Sequence, residues 1–247
     1  VNAVAIIPAR LGSTRLPGKV LLDKTGKPLI QHVWESAKRA GSLSRVIIAS
    51  DDAKVLTAAK RFGAEAVMTS SEHLNGTSRL CEAAAALGLS PDQVIVNVQG
   101  DEPEVEAEAI DAAVEAMQIA GCSIGTIAVP FASGEDPRDP NCVKVVRGLD
   151  GRALYFSRSI IPFDRDGRGG ADAACLRHVG IYAYRREFLE RYATLAPTPL
   201  ERAEQLEQLR ALQHGFGIGV AVRPSARVGI DTSEQYEAFV ERVSRGA

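Results

Sequence analysis

Between residues 10 and 19 the chain gathers Arg10, Arg15 and Lys19 with the hydroxyls of Ser13 and Thr14 and the glycines Gly12 and Gly18. This loop follows directly on the apolar run Val4 to Ile7. A short buried strand opening into such a loop suits phosphate, because glycine lets backbone N–H groups approach the oxygens while Arg and Lys neutralise them. Two carboxylates complement it. Asp101 lies in Gln99-Gly100-Asp101-Glu102-Pro103, just past the strongest strand-like run, Gln93 to Val98, and Asp231 follows Val228-Gly229-Ile230. Carboxylates from two distant strand ends, facing a phosphate-holding loop, would form an oxygen-ligand magnesium site, since Mg2+ takes one or two carboxylates and fills its octahedron with phosphates and water. Asp231 has a simpler alternative as the N-cap of the last helix, a job Thr232 or Ser233 does equally well.

A third group is suited to an acidic, hydroxylated ligand. Arg158 follows the aromatic strand end Tyr155-Phe156, and Arg177-His178 opens the segment that carries Tyr182 and Tyr184. Taken singly, these are ordinary surface charges or a hydrogen-bonded structural histidine; together, Arg grips carboxylates through a paired fork and His and Tyr read hydroxyls. Glu201, Glu204, Glu207, Gln208 and Arg210 fall on one amphipathic segment and by default form a solvated face.

Other motifs fail once their context is required. The gap from Gly12 to Gly18 is one residue too long for a P-loop, and Val20 stands where the metal-binding Ser or Thr belongs. Gly121-Cys122-Ser123-Ile124-Gly125 precedes a strand, whereas a nucleophile elbow must follow one. Gly215-Phe216-Gly217-Ile218-Gly219 falls at a helix-to-strand junction, which suits a helix cap and turn better than a dinucleotide loop.

The elements that must position these groups alternate. Strands are expected at Val4 to Ile7, Arg45 to Ala49, Ala64 to Met68, Gln93 to Val98 and Ser123 to Val129. Helices are expected at Leu29 to Ala40, Ala53 to Phe62, Leu80 to Leu87 and Val105 to Ala120, with Gly76 to Arg79 between the polar loop Thr69 to Asn75 and the helix that starts at Leu80. The pattern implies a mostly parallel sheet with right-handed crossovers. The second half reads as a hairpin (Val143 to Arg147 and Ala153 to Phe156), a strand at Arg177 to Tyr184, helices at Arg186 to Ala193 and Pro199 to His214, a strand at Gly217 to Val222 and a last helix. No linker divides the 247 residues, so one domain is expected.

A net charge of -2 gives no basic field for nucleic acid or an anionic membrane, so positive charge must act locally. No apolar run approaches the roughly 20 residues of a membrane span, and the chain enters its first strand without a leader, which makes the cytoplasm the expected compartment. Cys81, Cys122, Cys142 and Cys175 lie far apart and suggest neither zinc nor a disulfide framework.

Taken together, these segments resemble the 3-deoxy-manno-octulosonate (Kdo) cytidylyltransferases, the CMP-Kdo synthetases. The resemblance runs nearly end to end. It covers Ile7-Pro8-Ala9-Arg10 with Ser13 to Lys19, Val96 to Pro103, Ala153-Leu154-Tyr155-Phe156-Ser157-Arg158, Arg177-His178-Val179-Gly180-Ile181-Tyr182, Leu206 to Arg210 and Gly229-Ile230-Asp231-Thr232. It implies transfer of CMP from CTP to the anomeric hydroxyl of Kdo, with release of pyrophosphate, giving the activated sugar for lipopolysaccharide. It implies a Rossmann-like, three-layer nucleotide-diphosphosugar transferase fold with a mostly parallel mixed sheet, a cytoplasmic homodimer, and a second half carrying the sugar-binding and dimerisation elements. By the same resemblance Arg10, Ser13 and Lys19 hold the CTP triphosphate, Gly76, Thr77 and Arg79 lie toward the nucleotide, and Asp101 and Asp231 bind Mg2+. Arg10, Lys19, Asp101 and Asp231 are then the catalytic set, and Gln99, Arg158, His178, Tyr182, Glu207 and Gln208 surround Kdo. One segment departs: where the family commonly reads His-x-Ser-Gly-Thr-Glu-Arg, Asn75 and Ser78 replace Ser and Glu, at a region used for the base. Rival readings are a cytidylyltransferase for the 8-amino analogue of Kdo or a sialic acid, a dinucleotide oxidoreductase, and a non-catalytic nucleotide-binding protein.

Overall fold

In the computed structural model, which describes residues 2–12, 16–73, 76–119, 121–167, 175–227 and 229–246, the first strand β1 (Ala3–Ala9) is covered on both faces. Its side chains alternate, Ala3, Ala5, Ile7 and Ala9 entering one apolar cluster and Val4 and Ile6 another. A strand buried on both sides belongs at the centre of a sheet sandwiched between helices. A 3-10 turn, Lys19–Leu21, then leads to α1 (Leu29–Ala37), whose Ile30, Val33 and Ala37 pack on the Ile7 side. The chain continues through β2 (Leu43–Ser50), α2 (Ala53–Arg61), β3 (Glu65–Met68), α3 (Gly76–Ala86), β4 (Val94–Asn97), α4 (Ala107–Ala116) and β5 (Cys122–Pro130). The hairpin of β6 (Lys144–Arg147) and β7 (Ala153–Ser157) follows, then β8 (Leu176–Arg185), α5 (Arg186–Thr194), α6 (Pro199–Glu204), α7 (Gln208–Gln213), β9 (Gly217–Val222) and α8 (Ser233–Ser244).

Among the described residues nine strands form one sheet, with the path β3-β2-β1-β4-β8-β5-β9 and β6 joined to β7 and β8. β1, β2, β3 and β4 pair in parallel, as do β5 and β9, and β8 runs antiparallel between β4 and β5. This is the mixed, mostly parallel sheet that the alternation implies. Gly219 shows how closely α4 lies on it: a Cβ there would stand 2.0 Å from the Ala116 carbonyl oxygen, so no larger residue fits.

Two expectations are corrected. Gly76 to Arg79 is the first turn of α3, because Thr77 and Arg79 are drawn inside by partners on other elements. The helix expected at Pro199 to His214 is two helices, α6 and α7, separated at Gln205, whose φ of 52° is left-handed. No glycine or proline breaks it. Instead the carbonyls that would continue the ladder have other donors: Arg158 Nε to Glu204 O at 2.7 Å, Arg158 Nη2 to Gln205 O at 3.2 Å, and the Tyr192 hydroxyl to Glu207 O at 3.0 Å.

Candidate functional site

β1 and β4 run side by side in parallel, so Pro8 to Arg10 and Gln99 to Asp101 leave the sheet at the same edge, where open α/β sheets place ligands. Gly100 allows the two loops to meet, since a Cβ there would come within 2.7 Å of the Pro8 carbonyl oxygen. Asp231 arrives from the far end of the sequence. α8 buries Tyr236 and Phe239 against Leu29 and Ile230, and the Ile230 N–H donates to the Asp101 carbonyl at 2.8 Å. Burying each such side chain is worth roughly 1.5–3 kcal/mol, enough to fix this docking. The helix cap falls to Thr232, which accepts from the Gln235 N–H at 3.3 Å while Gln235 Oε1 accepts from the Thr232 N–H at 3.0 Å. The capping job considered for Asp231 is therefore filled by its neighbour.

Lys19 draws these parts together. Its ammonium donates to Asp101 Oδ2 at 2.5 Å, to Asp231 Oδ1 at 3.0 Å and to the Ile230 carbonyl at 3.0 Å, with the side chain only 11% exposed. Burial works against its charge, but the hydrogen bonds and charges of Asp101 and Asp231 outweigh that and hold its pKa above the usual lysine value. Glu102 is pushed the other way for a carboxyl: burial, with the Asp101 charge beside it, raises its pKa to about 8 against the partial relief of Arg177. Two carboxylate oxygens and a carbonyl around one cationic nitrogen form the hard-oxygen donor set that Mg2+ takes. Among the described residues no larger His, Cys, Asp or Glu cluster suits a metal.

A cavity of about 340 Å3 opens over this group. Arg10, Lys19, Gly76, Arg79, Asp101 and Asp231 line it, joined by Gln99 and His73. Arg10 is exposed at its rim. Arg79 is buried and committed elsewhere, donating to Asp51 Oδ2 at 2.8 Å and Thr69 Oγ1 at 2.5 Å, so it braces the cavity wall. His73 is held by Glu82, which also accepts from the Ser70 N–H at 2.9 Å. Ser13 and Asn75 lie outside the described residues.

A second cavity of about 300 Å3 adjoins the first, and Gly76 and Gln99 line both. Of the residues expected around the sugar, Gln99, Tyr182, Glu207 and Gln208 line it. Thr77 lines it as well, donating to Glu207 Oε2 at 3.0 Å, so that residue faces the second cavity and not the first. Burial raises the Glu207 pKa, opposed by the Thr77 hydrogen bond and the Arg210 charge. Glu207 and Gln208 reach the wall because the chain breaks between α6 and α7; one continuous helix carries no such turn. Arg158 and His178 are not part of either lining. Arg158 spends its guanidinium on the carbonyls of Glu204, Gln205 and Pro140, the last at 2.8 Å. The His178 ring lies between Phe156 and Tyr182, with Nε2 3.0 Å from Thr126 Oγ1.

Two polar wall residues escape a reading of the sequence, Asn97 and Tyr192, whereas Tyr184 is on the strand already read, with Tyr182, as suited to hydroxyls. Asn97 is the last residue of β4 and looks like strand; a polar side chain closing an otherwise apolar run was the available signal. Its Oδ1 is buried with no hydrogen-bond partner among the described residues, and so is the Tyr182 hydroxyl.

The geometry agrees with what known proteins resemble. The cytidylyltransferase family model matches residues 4–220. The 3-deoxy-manno-octulosonate cytidylyltransferase of Syntrophobacter fumaroxidans is 51% identical, covering 100% of this chain and 99% of that protein. Cytidylyltransferase 1 of the same description from Actinobacillus pleuropneumoniae is 46% identical, over 96% of this chain and 97% of its own. Among solved structures, CMP:2-keto-3-deoxy-manno-octonic acid synthetase complexed with CTP superposes with a TM-score of 0.92 at 38% identity, covering 100% of both chains. 4-Diphosphocytidyl-2C-methyl-D-erythritol synthase, at 15% identity and a TM-score of 0.64 over 98% of this chain and 97% of that one, shares the fold.

Proposed function

The chain belongs to the 3-deoxy-manno-octulosonate cytidylyltransferase family and transfers CMP from CTP to Kdo, and from that premise we propose that its two adjoining cavities divide the substrates. The CTP phosphates occupy the cavity over Lys19, and Kdo occupies the one lined by Tyr182 and Glu207. The observation that carries this division is the shared wall: at Gly76 and Gln99 an α-phosphorus in one cavity can meet a hydroxyl in the other.

In this reading the reaction is an in-line displacement. The oxygen of the Kdo anomeric hydroxyl forms a bond to the α-phosphorus, the bond to the bridging oxygen breaks, and pyrophosphate leaves with that electron pair. Arg10 and Lys19 neutralise the charge that grows on the pyrophosphate. Asp101 and Asp231 would hold Mg2+, which would supply Lewis-acid stabilisation of phosphoryl oxygens and lower the pKa of the acceptor hydroxyl. In this reading Asp231 accepts the proton the hydroxyl gives up. No protein nucleophile is required, so positioning and electrostatics carry the rate. The product is the activated sugar for lipopolysaccharide, made in the cytoplasm, where CTP is consumed; no described helix is long and apolar enough to cross a membrane. A homodimer is supported by the exposed apolar side chains Leu154, Ile160 and Phe163 on and after β7, and a monomer in sedimentation at micromolar concentration would refute it.

Pyrophosphate release from CTP and Mg2+ tests the function, with Kdo, its 8-amino analogue and a sialic acid as parallel acceptors. Kdo is expected to give the highest kcat/KM. Release with none of them leaves only nucleotide binding, and a faster rival acceptor reassigns the substrate. Asp101→Asn is expected to lower kcat by about a hundredfold or more without changing thermal unfolding. Unchanged turnover in that variant removes the metal-site reading.

A further inference from the structure

We propose that Asn97 is a specificity-determining residue for the acceptor, its side-chain oxygen accepting a hydrogen bond from a ring hydroxyl of the sugar acid. The inference rests on the placing of Kdo in the second cavity. Asn97 closes β4 and is 4% exposed, yet it lines that cavity. Its Oδ1 is buried and has no partner among the described residues. A buried acceptor left unpaired is costly, so a protein keeps one inside a ligand cavity where a ligand supplies the missing donor.

The surroundings say which kind of donor. Across the β4–β8 ladder Asn97 pairs with Tyr182, whose hydroxyl is the other buried, unpartnered polar atom of this wall. Burial and the neighbouring Tyr184 drive the Tyr182 pKa far above its usual value, so it stays a neutral phenol. Among the described residues no lysine or arginine lines the cavity, and two neutral groups side by side match alcohol groups better than they match a carboxylate. Position narrows the choice. Asn97 Nδ2 stands 3.9 Å from where a Cβ on Gly76 would be, and Gly76 belongs to the wall between the two cavities. The hydroxyl read by Asn97 therefore sits on the ring, close to the reacting carbon, and not at the far end of the exocyclic chain.

The test compares wild type and Asn97→Leu, an apolar side chain of similar size, with Kdo and with analogues that each lack one hydroxyl. In wild type, one ring-deoxy analogue is expected to lose about a hundredfold or more in kcat/KM, because it leaves Asn97 Oδ1 unpaired. In Asn97→Leu that preference is expected to collapse to within a few fold, while KM for CTP and the melting temperature stay near wild type. A preference that survives the substitution overturns the proposal. If the variant does not fold, the wild-type series still decides: ring-deoxy analogues that all react as well as Kdo leave no hydroxyl for Asn97 to read. Failure of the Kdo reading itself looks different, with no pyrophosphate released by wild type from Kdo and CTP.

Discussion

Lys19 stands where opposite demands meet. It bridges Asp101 and Asp231, yet the proposed chemistry needs those carboxylates for Mg2+ and the ammonium for pyrophosphate. Both needs are met if Lys19 serves as a resident cation: it screens the carboxylates from each other until metal and triphosphate arrive together, then turns to the phosphates. Lys19→Met tests this. Without the ammonium the carboxylates repel, so Mn2+ alone, titrated calorimetrically, is expected to bind about tenfold more tightly, while KM for CTP rises about tenfold. Metal binding that is unchanged or weaker in the variant rejects the resident-cation role. The sequence makes each of the three groups legible, because a basic loop and acidic strand ends announce themselves by type. It does not make their contact legible: Lys19 and Asp231 meet only because α8 docks its Tyr236 and Phe239 beside Leu29, a long-range packing event with no local signature.

At the scale of elements, the informative feature is the break between α6 and α7. The segment from Pro199 to His214 has a sound helical pattern and no breaker residue, so any local reading joins it. What breaks it is competition for carbonyls: the Arg158 guanidinium, 47 residues away from Gln205, takes the oxygens of Glu204 and Gln205. The Arg158 N–H adds a bond to Glu204 Oε2 at 2.9 Å, and the Ser157 hydroxyl donates to Glu204 Oε1 at 2.6 Å. Arg158 thereby fixes the turn that presents Glu207 and Gln208 to the second cavity. It acts here as a positioning residue, with its fork turned to backbone. Arg158→Lys keeps the charge and loses the fork, and is expected to destabilise the fold by about 1–2 kcal/mol. The kinetic signature is a KM for Kdo raised several-fold with kcat and KM for CTP close to wild type. A fall in kcat with KM for Kdo unmoved would instead point to direct contact with the reacting groups. The alternation of the first half was readable for the opposite reason: β1, β2 and β4 carry their own apolar periodicity, and nothing distant competes for their backbone.

For the molecule as a whole, β8 is the strand that joins the halves, antiparallel between β4 and β5, and it carries both Tyr182 and His178. The Thr126 hydroxyl on β5 donates its single proton to the Ile181 carbonyl at 2.8 Å, so it accepts from His178 Nε2–H, which puts a ring proton on Nε2. Burial between Phe156 and Tyr182, with the Arg177 charge next to it, pushes the His178 pKa down to about 3. Unfolded, the same histidine titrates near its ordinary value of 6.5. Between those values the unfolded chain binds a proton that the folded chain refuses, so this contribution to stability is whole above pH 6.5 and is lost as pH falls toward 3. Glu102 runs against it: with its pKa raised to about 8 from 4.5, it takes stability away as pH rises through that interval. The total profile between pH 4.5 and 6.5 is therefore flattened by two opposing slopes, and the histidine has to be read by difference. His178→Gln, which can still donate to Thr126, removes one slope. Measured by urea unfolding, wild type is expected to lose about 1–2 kcal/mol relative to the variant from pH 6.5 to 4.5, a figure discounted for the partial exposure of the ring. Parallel stability curves for the two proteins over that range would mean that His178 charges freely in the folded chain, and that β8 is not held by a neutral imidazole.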